Sequence, residues 1–476
     1  MDSDNKLLTL SEFRRELGIP LVLAKKLIVW GEVEAVRTVD GTIRVTEEEL
    51  LEARDLLRHP WTKTKLYLRS LGPGLITGVS DDDPGGIGTY SSVGAAYGYA
   101  LLWTAAWLLP MMLAVQEACA RIGIVTNRGL AGVLQRHYKR RVVMGAVLLL
   151  IIANVVNIGA DIGAMAAALG LITRVDFIAA VLFFALLMIG IEVLVPYRTY
   201  SKVLKWLTLS VLAYVVTGIM IKPDWSLIAE KALAPEVHFT KDYLFAMVAV
   251  FGTTITPYLF FWQTSEEVEE KRLEKDEGVR PLSMQNRIAR MRTDVKTGMV
   301  LANLVFFFIV VTTAQVLHAN GITTIESAEQ AAEALRPLAG DRAFLLFALG
   351  IIGTGLLAVP ILAGSGAYAL SELMKWREGL GYSFSQAKGF YLIIVFSILV
   401  GVMINFIGIN PITALYYSAY LNGIVALPLL AVIMVVGGDS KIMGQEVHPR
   451  WVKVFGWMAV VFMAIAVILT VIFSVS

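Results

Sequence analysis

From Lys65 onward, hydrophobic residues gather into long runs, and polar residues collect in the intervals between them. Eleven runs are long enough to cross a bilayer as helices. They fall at about 72–98, 100–122, 142–171, 175–195, 201–221, 241–265, 295–317, 343–374, 388–409, 411–436 and 451–475. A helical span needs about 20 mostly apolar residues, so the pattern predicts an all-α polytopic membrane protein of eleven spans.

Residues 1–60 follow a different pattern. Thr9 and Glu12 have capping-box spacing ahead of Phe13 to Leu17, and Leu21 to Trp30 reads as a second short helix. Glu34 to Val39 and Thr42 to Val45 alternate around Asp40-Gly41, a hairpin signal. Thr46 and Glu49 form a second capping box before Leu50, Leu51 and Leu57. Helix, helix, hairpin, helix resembles the small winged-helix domains of excisionase and MerR-type regulators. That resemblance implies DNA binding. The other reading is a soluble cytoplasmic appendage that regulates or decorates the membrane part. Charges of both signs mix here with no basic face, which favours the appendage, so nucleic acid is not an expected partner. The basic, apolar and small-residue succession of a signal peptide is missing from this stretch.

Composition agrees with the membrane assignment. Of 476 residues, 57% are hydrophobic and 17% charged, against about 45–50% and 25% in soluble domains. The formal charge of +2 excludes a nucleic-acid binder driven by net charge, and a single cysteine, Cys119, excludes an intrachain disulfide. Basic residues set the orientation. The interval between spans 2 and 3 holds Arg128, Arg136, Lys139, Arg140 and Arg141. The interval between spans 6 and 7 holds Lys271, Arg272, Lys275, Arg280, Arg287, Arg290, Arg292 and Lys296. Those connections are read as cytoplasmic. The N-terminus is then cytoplasmic and, with an odd span count, the C-terminus lies outside the cell membrane.

Two spans carry helix breakers at membrane depth. Span 1 reads from Gly72-Pro73-Gly74 to Asp81-Asp82-Asp83-Pro84-Gly85-Gly86. Span 6 reads Gly252-Thr253-Thr254-Ile255-Thr256-Pro257-Tyr258. Proline removes a donor and clashes with the preceding turn. Charges within a span are costly and mark function. Irregular backbone survives at that depth only where it lines protein or a wet cavity. The breaks fall five spans apart, which is the arrangement of two inverted five-helix repeats whose broken helices 1 and 6 meet at a midplane site. The chain then divides into the appendage at 1–60, a ten-helix core at 66–436, and a loop with the eleventh helix at 437–476.

The ligands available at such a site are oxygens: Asp83, with Asp81 and Asp82 beside it, the hydroxyls of Ser80, Thr253 and Thr256, and unwound carbonyls. Neither break holds His or Cys. Hard oxygen donors suit Mg²⁺, Ca²⁺ and Mn²⁺, and few carboxylates in a small pocket suit an ion that keeps its waters, as Mg²⁺ does. Asp83 directly precedes Pro84 and is the principal candidate. Asp81 and Asp82 could face a vestibule and attract cations. Three adjacent carboxylates repel when ionised, which leaves a proton-handling role open.

These motifs resemble those of the Nramp divalent-metal transporters. Gly72-Pro73-Gly74 followed by Asp83-Pro84-Gly85 is similar to the first-span signature, which ends Asp-Pro-Gly-Asn. Gly252 to Tyr258 is similar to the sixth-span motif, where an alanine and a methionine bind metal ahead of Pro-His. Ala160-Asp161-Ile162 is similar to the third-span motif Ala-Asp-Ile-Ala-Glu. The resemblance covers about 66–436. It implies a LeuT-like fold and divalent-cation transport by alternating access, with Mg²⁺ or Mn²⁺ as transported substrate and no cofactor.

The departures carry information. The motif asparagine is Gly86, the binding alanine Thr253 and the binding methionine Thr256. A thioether favours transition metals, and a hydroxyl does not. The histidine after the proline is Tyr258, a second family histidine falls at Gln263, and the third-span glutamate falls at Ala164. Histidine is the side chain that titrates near neutral pH, and these changes resemble the Nramp-related magnesium transporter branch, which moves Mg²⁺ and Mn²⁺ without proton coupling. The other members of the pathway are expected to be Asp81, Asp82, Asp161, Tyr258 and Gln263. Asp161 is either on the cation path or a partner for a buried donor. Asn422 in span 10 is placed near a polar residue that joins the metal in this family; otherwise it bonds a neighbouring helix. Gln116, Glu117 and Glu192 are expected near cytoplasmic helix ends. The span 8 glycines Gly353, Gly355, Gly364 and Gly366 serve close helix packing. Glu266, Glu267, Glu269 and Glu270 read as a solvated helix face, or as a vestibule. No catalytic constellation appears, so an enzyme is not expected. The expected partners are divalent cations and the bilayer. The rivals are a proton-coupled Mn²⁺ or Fe²⁺ importer, a sodium-coupled carrier of an organic solute, and a membrane-tethered sensor.

Overall fold

The computed structural model describes residues 7–18, 24–25, 27–28, 33, 35–38, 42–57, 71–195, 212–276 and 282–475. The N-terminal part is built from β1 (Leu7–Thr9), α1 (Leu10–Glu16), β2 (Ala35–Arg37), β3 (Ile43–Thr46) and α2 (Glu47–Leu57). The Thr9 hydroxyl accepts from Glu12 N, and the Glu12 carboxylate accepts from Thr9 N, so the capping box forms. The Thr46 hydroxyl likewise accepts from Glu49 N. Strand β1 is an addition to the sequence reading. It pairs antiparallel with β3, Leu8 opposite Val45, and completes a three-stranded sheet in the order β1-β3-β2. Three residues are too few for alternation to signal a strand, and only the pairing defines it. Phe13, Leu27, Val45 and Ala53 are fully buried in a core of their own. The hairpin tip Asp40-Gly41 and much of the expected helix at 21–30 lie outside the described residues.

Among the described residues, nine helical segments are long and apolar enough to cross a membrane. The first predicted span is absent from those nine because it is split into α3 (Pro73–Asp81) and α4 (Pro84–Tyr97). Next come α5 (Trp103–Thr126), the short α6 (Leu130–His137), α7 (Arg140–Ile172) and α8 (Phe177–Leu194). Most of the fifth run lies outside the described residues, and its remainder is α9 (Leu212–Met220), followed by α10 (Trp225–Leu233). The sixth run is α11 (Lys241–Thr254) and α12 (Pro257–Asp276). The chain ends with α13 (Met284–Val316), α14 (Ala343–Met374), α15 (Lys388–Met403), α16 (Pro411–Gly438) and α17 (Arg450–Val475). Side chains stop the first-turn amides from going unpaired: Asp176, Thr240, Ser283 and Asn410 each accept from a backbone N–H of the helix they precede. Exposed Leu182, Phe183 and Leu186 on α8, and Leu392, Phe396 and Leu399 on α15, form apolar outer faces that only lipid can satisfy.

Two boundaries differ from the hydrophobic pattern. Helix α12 continues past the apolar run to Asp276, and α13 begins at Met284 rather than 295. Ion pairs hold these polar extensions together. Glu274 meets Arg287 at 2.5 Å and Arg290 at 3.1 Å, and Glu270 meets Arg290 at 3.6 Å. The solvated face expected for the glutamates of this stretch is corrected accordingly, since Glu267 and Glu269 are buried. Glu269 accepts from the N–H groups of Leu380 (3.2 Å) and Gly381 (2.5 Å) and from the Tyr368 hydroxyl. A buried carboxylate is tolerable when it is hydrogen-bonded in this way. Glu117 pairs with Arg121 at 2.6 Å and Arg292 at 2.9 Å and so ties α5 to α13.

The first half of the split span, α3, lies against α13 at backbone contact. A Cβ on Gly78 would stand 2.2 Å from the Gly298 carbonyl carbon, a separation real structures do not show. Glycine on both helices is what permits this approach. Asp294 of α13 then caps α3 from outside, accepting from Gly72 N (2.9 Å), Gly74 N (2.7 Å) and Leu75 N (2.9 Å).

Candidate functional site

Helix α3 ends at Asp81, and Asp82 adopts a conformation (φ −87°, ψ 43°) that leaves the helix. Asp83 is extended and N-caps α4, its Oδ1 accepting from Gly86 N at 2.6 Å. Pro84 follows at the first helical position, where its missing N–H costs nothing. The second break is built the same way. Helix α11 stops at Thr254, Ile255 (φ −124°, ψ 71°) turns the chain, and Pro257 opens α12. Two residues, Asp82 and Asp83, separate α3 from α4, and two, Ile255 and Thr256, separate α11 from α12.

The two breaks face each other. Tyr258 Oη donates to the Ser80 carbonyl at 2.9 Å and stands 3.5 Å from Asp83 Oδ2. Thr256 Oγ1 stands 3.5 Å from Asp81 Oδ1. Tyr90 of α4 and Thr254, the last residue of α11, share a hydrogen bond of 3.0 Å. Helix α16 closes the site from the side, since a Cβ on Gly252 would lie 2.3 Å from Gly423 N. That contact sets Asn422 beside the second break. Ser80, Asp81, Asp82, Asp83, Thr253, Thr256, Tyr258 and Asn422 are all buried.

Ser80, Asp81, Asp83, Gly86, Thr256 and Tyr258 thus meet in one connected set. Among the described residues no hydrogen bond ties Asp82 or Thr253 to it. Asp161 on α7 lies close enough to Asp83 for their charges to interact, and its Oδ2 is buried without a hydrogen-bond partner. Asn422 Oδ1 accepts from Asn157 at 3.1 Å, the bond to a neighbouring helix. Gln263 lies apart from the break. Its Oε1 is 2.6 Å from the Thr77 hydroxyl, and its Nε2 donates to Glu267 at 2.9 Å. Among the described residues no three carboxylate, imidazole or thiolate groups converge as a ready-made metal cage. Sequence reasoning assigned no site role to Thr77, Tyr90, Thr254, Asn157 or Asp294, and it read Glu267 only as part of a solvated face or a vestibule. Asn157 carries a signal of its own, an amide in an apolar run, whereas Asp294 sits one residue outside the span 7 window and carried none.

Residues 74–473 match the family described as natural resistance-associated macrophage protein-like, or Nramp. The chain belongs to the Nramp family. It is similar to a divalent metal cation transporter, MntH, of Klebsiella pneumoniae strain 342, with 26% identity over 405 residues, covering 83% of this chain and 92% of that one. Its fold is similar to that of a manganese transporter from Eremococcus coleocola crystallised with an aromatic bis-isothiourea substituted compound. There the TM-score is 0.67 at 18% identity, covering 86% of this chain and 87% of that one. A crystal structure of a histidine-to-alanine mutant of the same transporter agrees at a TM-score of 0.67 and 19% identity, with the same coverage.

Against the Nramp motif, the replacement at Gly86 has a local reason here. A Cβ at that position would stand 2.9 Å from the Asp81 carbonyl, so the asparagine of the motif would have to push the break apart. Tyr258, standing where the motif has histidine, spends its hydroxyl on the Ser80 carbonyl that the end of α3 leaves free.

Proposed function

We propose that this Nramp-family chain is a secondary carrier that imports divalent cations, chiefly hydrated Mg²⁺ and also Mn²⁺, by alternating access without proton coupling. One observation carries the reading: the two breaks meet through oxygen atoms alone. Asp81, Asp83, Thr256, Tyr258 and the Ser80 carbonyl are their contacts. Hard donors suit Mg²⁺, and a site without a complete cage suits an ion that sheds its waters reluctantly. In this reading Asp83, Ser80, Gly86, Thr253, Thr256 and Asn422 form the ion site. Asp81, Asp82, Asp161, Tyr258 and Gln263 line its approach. The family match supports divalent-metal transport in general. The MntH relative, a divalent metal cation transporter, supports the same, and the structural neighbour described as a manganese transporter favours including Mn²⁺.

The same proposal takes eleven spans in a LeuT-like arrangement. It counts the split α3 and α4 as the first and places α9 at the end of the fifth. It puts the protein in the cell membrane, with the N-terminus in the cytoplasm and the C-terminus outside. Residues 1–60 are a winged-helix-like cytoplasmic appendage, 66–436 the transport core, and 437–476 the loop and last helix. Deleting residues 1–60 is expected to leave uptake intact; a sensor would instead lose its output.

The deciding experiment is uptake into proteoliposomes, with Mg²⁺ and Mn²⁺ compared while internal pH is recorded. Mg²⁺ accumulation without acidification is expected. Mn²⁺ uptake with acidification and no Mg²⁺ uptake would replace this reading with a proton-coupled Mn²⁺ or Fe²⁺ importer. The unpartnered Asp161 Oδ2 beside Asp83 favours that second reading. Thr256→Met tests the site itself. It adds a soft thioether, so Mn²⁺ should gain on Mg²⁺ by about tenfold or more in competition, a shift of roughly 1.4 kcal/mol. Unchanged selectivity would mean that Thr256 is not at the ion.

A further inference from the structure

A cavity of about 870 Å³ opens at the ends of α5 and α14, on the side that the basic residues assign to the cytoplasm. That volume lies within the range of small-molecule sites, about 300–1,000 Å³. Arg128, Arg136, Arg140 and Lys375 line it, and none of the four forms an ion pair with a described residue. Two carboxyl groups also face it, and together they offset the four cations only in part: the Glu372 charge interacts with Arg128. Glu372 is turned to the start of α6, accepting from Gly132 N at 2.9 Å. Glu378 has a buried Oε2 with no partner. Burial, and then the neighbouring Glu372, push its carboxyl up to about 9. At neutral pH it is therefore protonated, carries no charge and has an O–H to donate. The cavity thus sets four cations and a hydroxyl donor against one carboxylate, Glu372, whose oxygen is already engaged by a backbone N–H. Trp376 shares the lining, 45% exposed, with Met374 beside it at 39%. Tryptophan with an apolar neighbour at a helix end is characteristic of the lipid headgroup level.

We propose that this cavity holds the phosphate of an anionic phospholipid. Basic pockets between helix ends at the cytoplasmic surface recognise such headgroups electrostatically. A soluble phosphate shares the chemistry, but it would have no use for the apolar rim.

The test uses the full-length protein in detergent. Phosphatidylglycerol, phosphatidylcholine and inorganic phosphate are added separately, and the apparent melting temperature is followed while native mass spectrometry counts bound lipid. Phosphatidylglycerol should bind and raise the melting temperature, and phosphatidylcholine should do neither. In R128Q/R136Q/R140Q the apparent phosphatidylglycerol affinity should fall by about a hundredfold, with the lipid-free melting temperature kept. If the triple variant does not fold, Arg136→Glu decides, and it should lose most of the lipid-dependent shift. A full shift from inorganic phosphate alone, lost in the same variants, would keep the phosphate site and assign it to a soluble ligand. The proposal is overturned if phosphatidylcholine stabilises as well as phosphatidylglycerol, or if the folded variant, triple or Arg136→Glu, retains the shift.

Discussion

Asp83→Asn is expected to reduce Mg²⁺ uptake to the level of protein-free liposomes while the protein still folds. Asp83 does two things that this substitution separates. Its Oδ1 caps α4 through Gly86 N, and its carboxylate supplies charge where the two breaks meet. Asparagine keeps a capping oxygen and removes the charge. Asp83→Ala removes both, and the lost cap costs about 1 kcal/mol in addition. The alanine variant should therefore be as inactive as the asparagine one and melt at a lower temperature. A dication held among neutral oxygens loses its strongest partner when the carboxylate goes, which is why the functional loss is expected to be complete. Near-parental uptake by Asp83→Asn would move the ion to Asp81 or Asp82.

The second large effect is structural and comes from a residue far along the chain. Asp294 accepts from three backbone N–H groups at the start of α3. Hydrogen bonds to a charged group contribute about 1.5–3 kcal/mol each. Asp294→Ala leaves those three donors without their acceptor, so a loss of about 4 kcal/mol or more is expected, with a clear fall in the apparent melting temperature. Asp294→Asn should fall in between. One oxygen remains for the pair that Oδ1 now serves, Gly72 and Leu75, while its amide nitrogen would oppose the Gly74 N–H. Because α3 carries Ser80 and Asp81 to the site, uptake should fall with stability. Equal melting of parent and alanine variant would show that the clamp contributes nothing.

Much of the architecture was legible in the residues themselves. Runs of 20 or more apolar residues have few folded solutions outside a bilayer, so the nine long apolar helical segments of the described residues lie on predicted runs. Both breaks were readable because Asp83-Pro84 and Thr256-Pro257 cannot continue a helix. The candidate ion residues were readable because charge and hydroxyl groups are conspicuous in an apolar run. The ends of α12 and α13 were not readable. Glu270, Glu274, Arg287 and Arg290 are ordinary surface residues in sequence, and the structure shows them paired between the extensions of α12 and α13.

By itself, then, the sequence determined that the chain crosses a membrane, that its first and sixth spans are broken, and that hard oxygen donors sit at the breaks. Those properties are local, set by side-chain polarity and by backbone groups that proline leaves unpaired. Only the tertiary structure decided how the breaks meet: Tyr258 on the Ser80 carbonyl, Thr256 toward Asp81, Asn422 turned to Asn157, and Asp294 clamping α3 from 222 residues away. It also decided that Glu267 and Glu269 are buried. These are long-range contacts. A carboxylate reads the same whether it will face water or three backbone N–H groups, and packing alone makes the distinction.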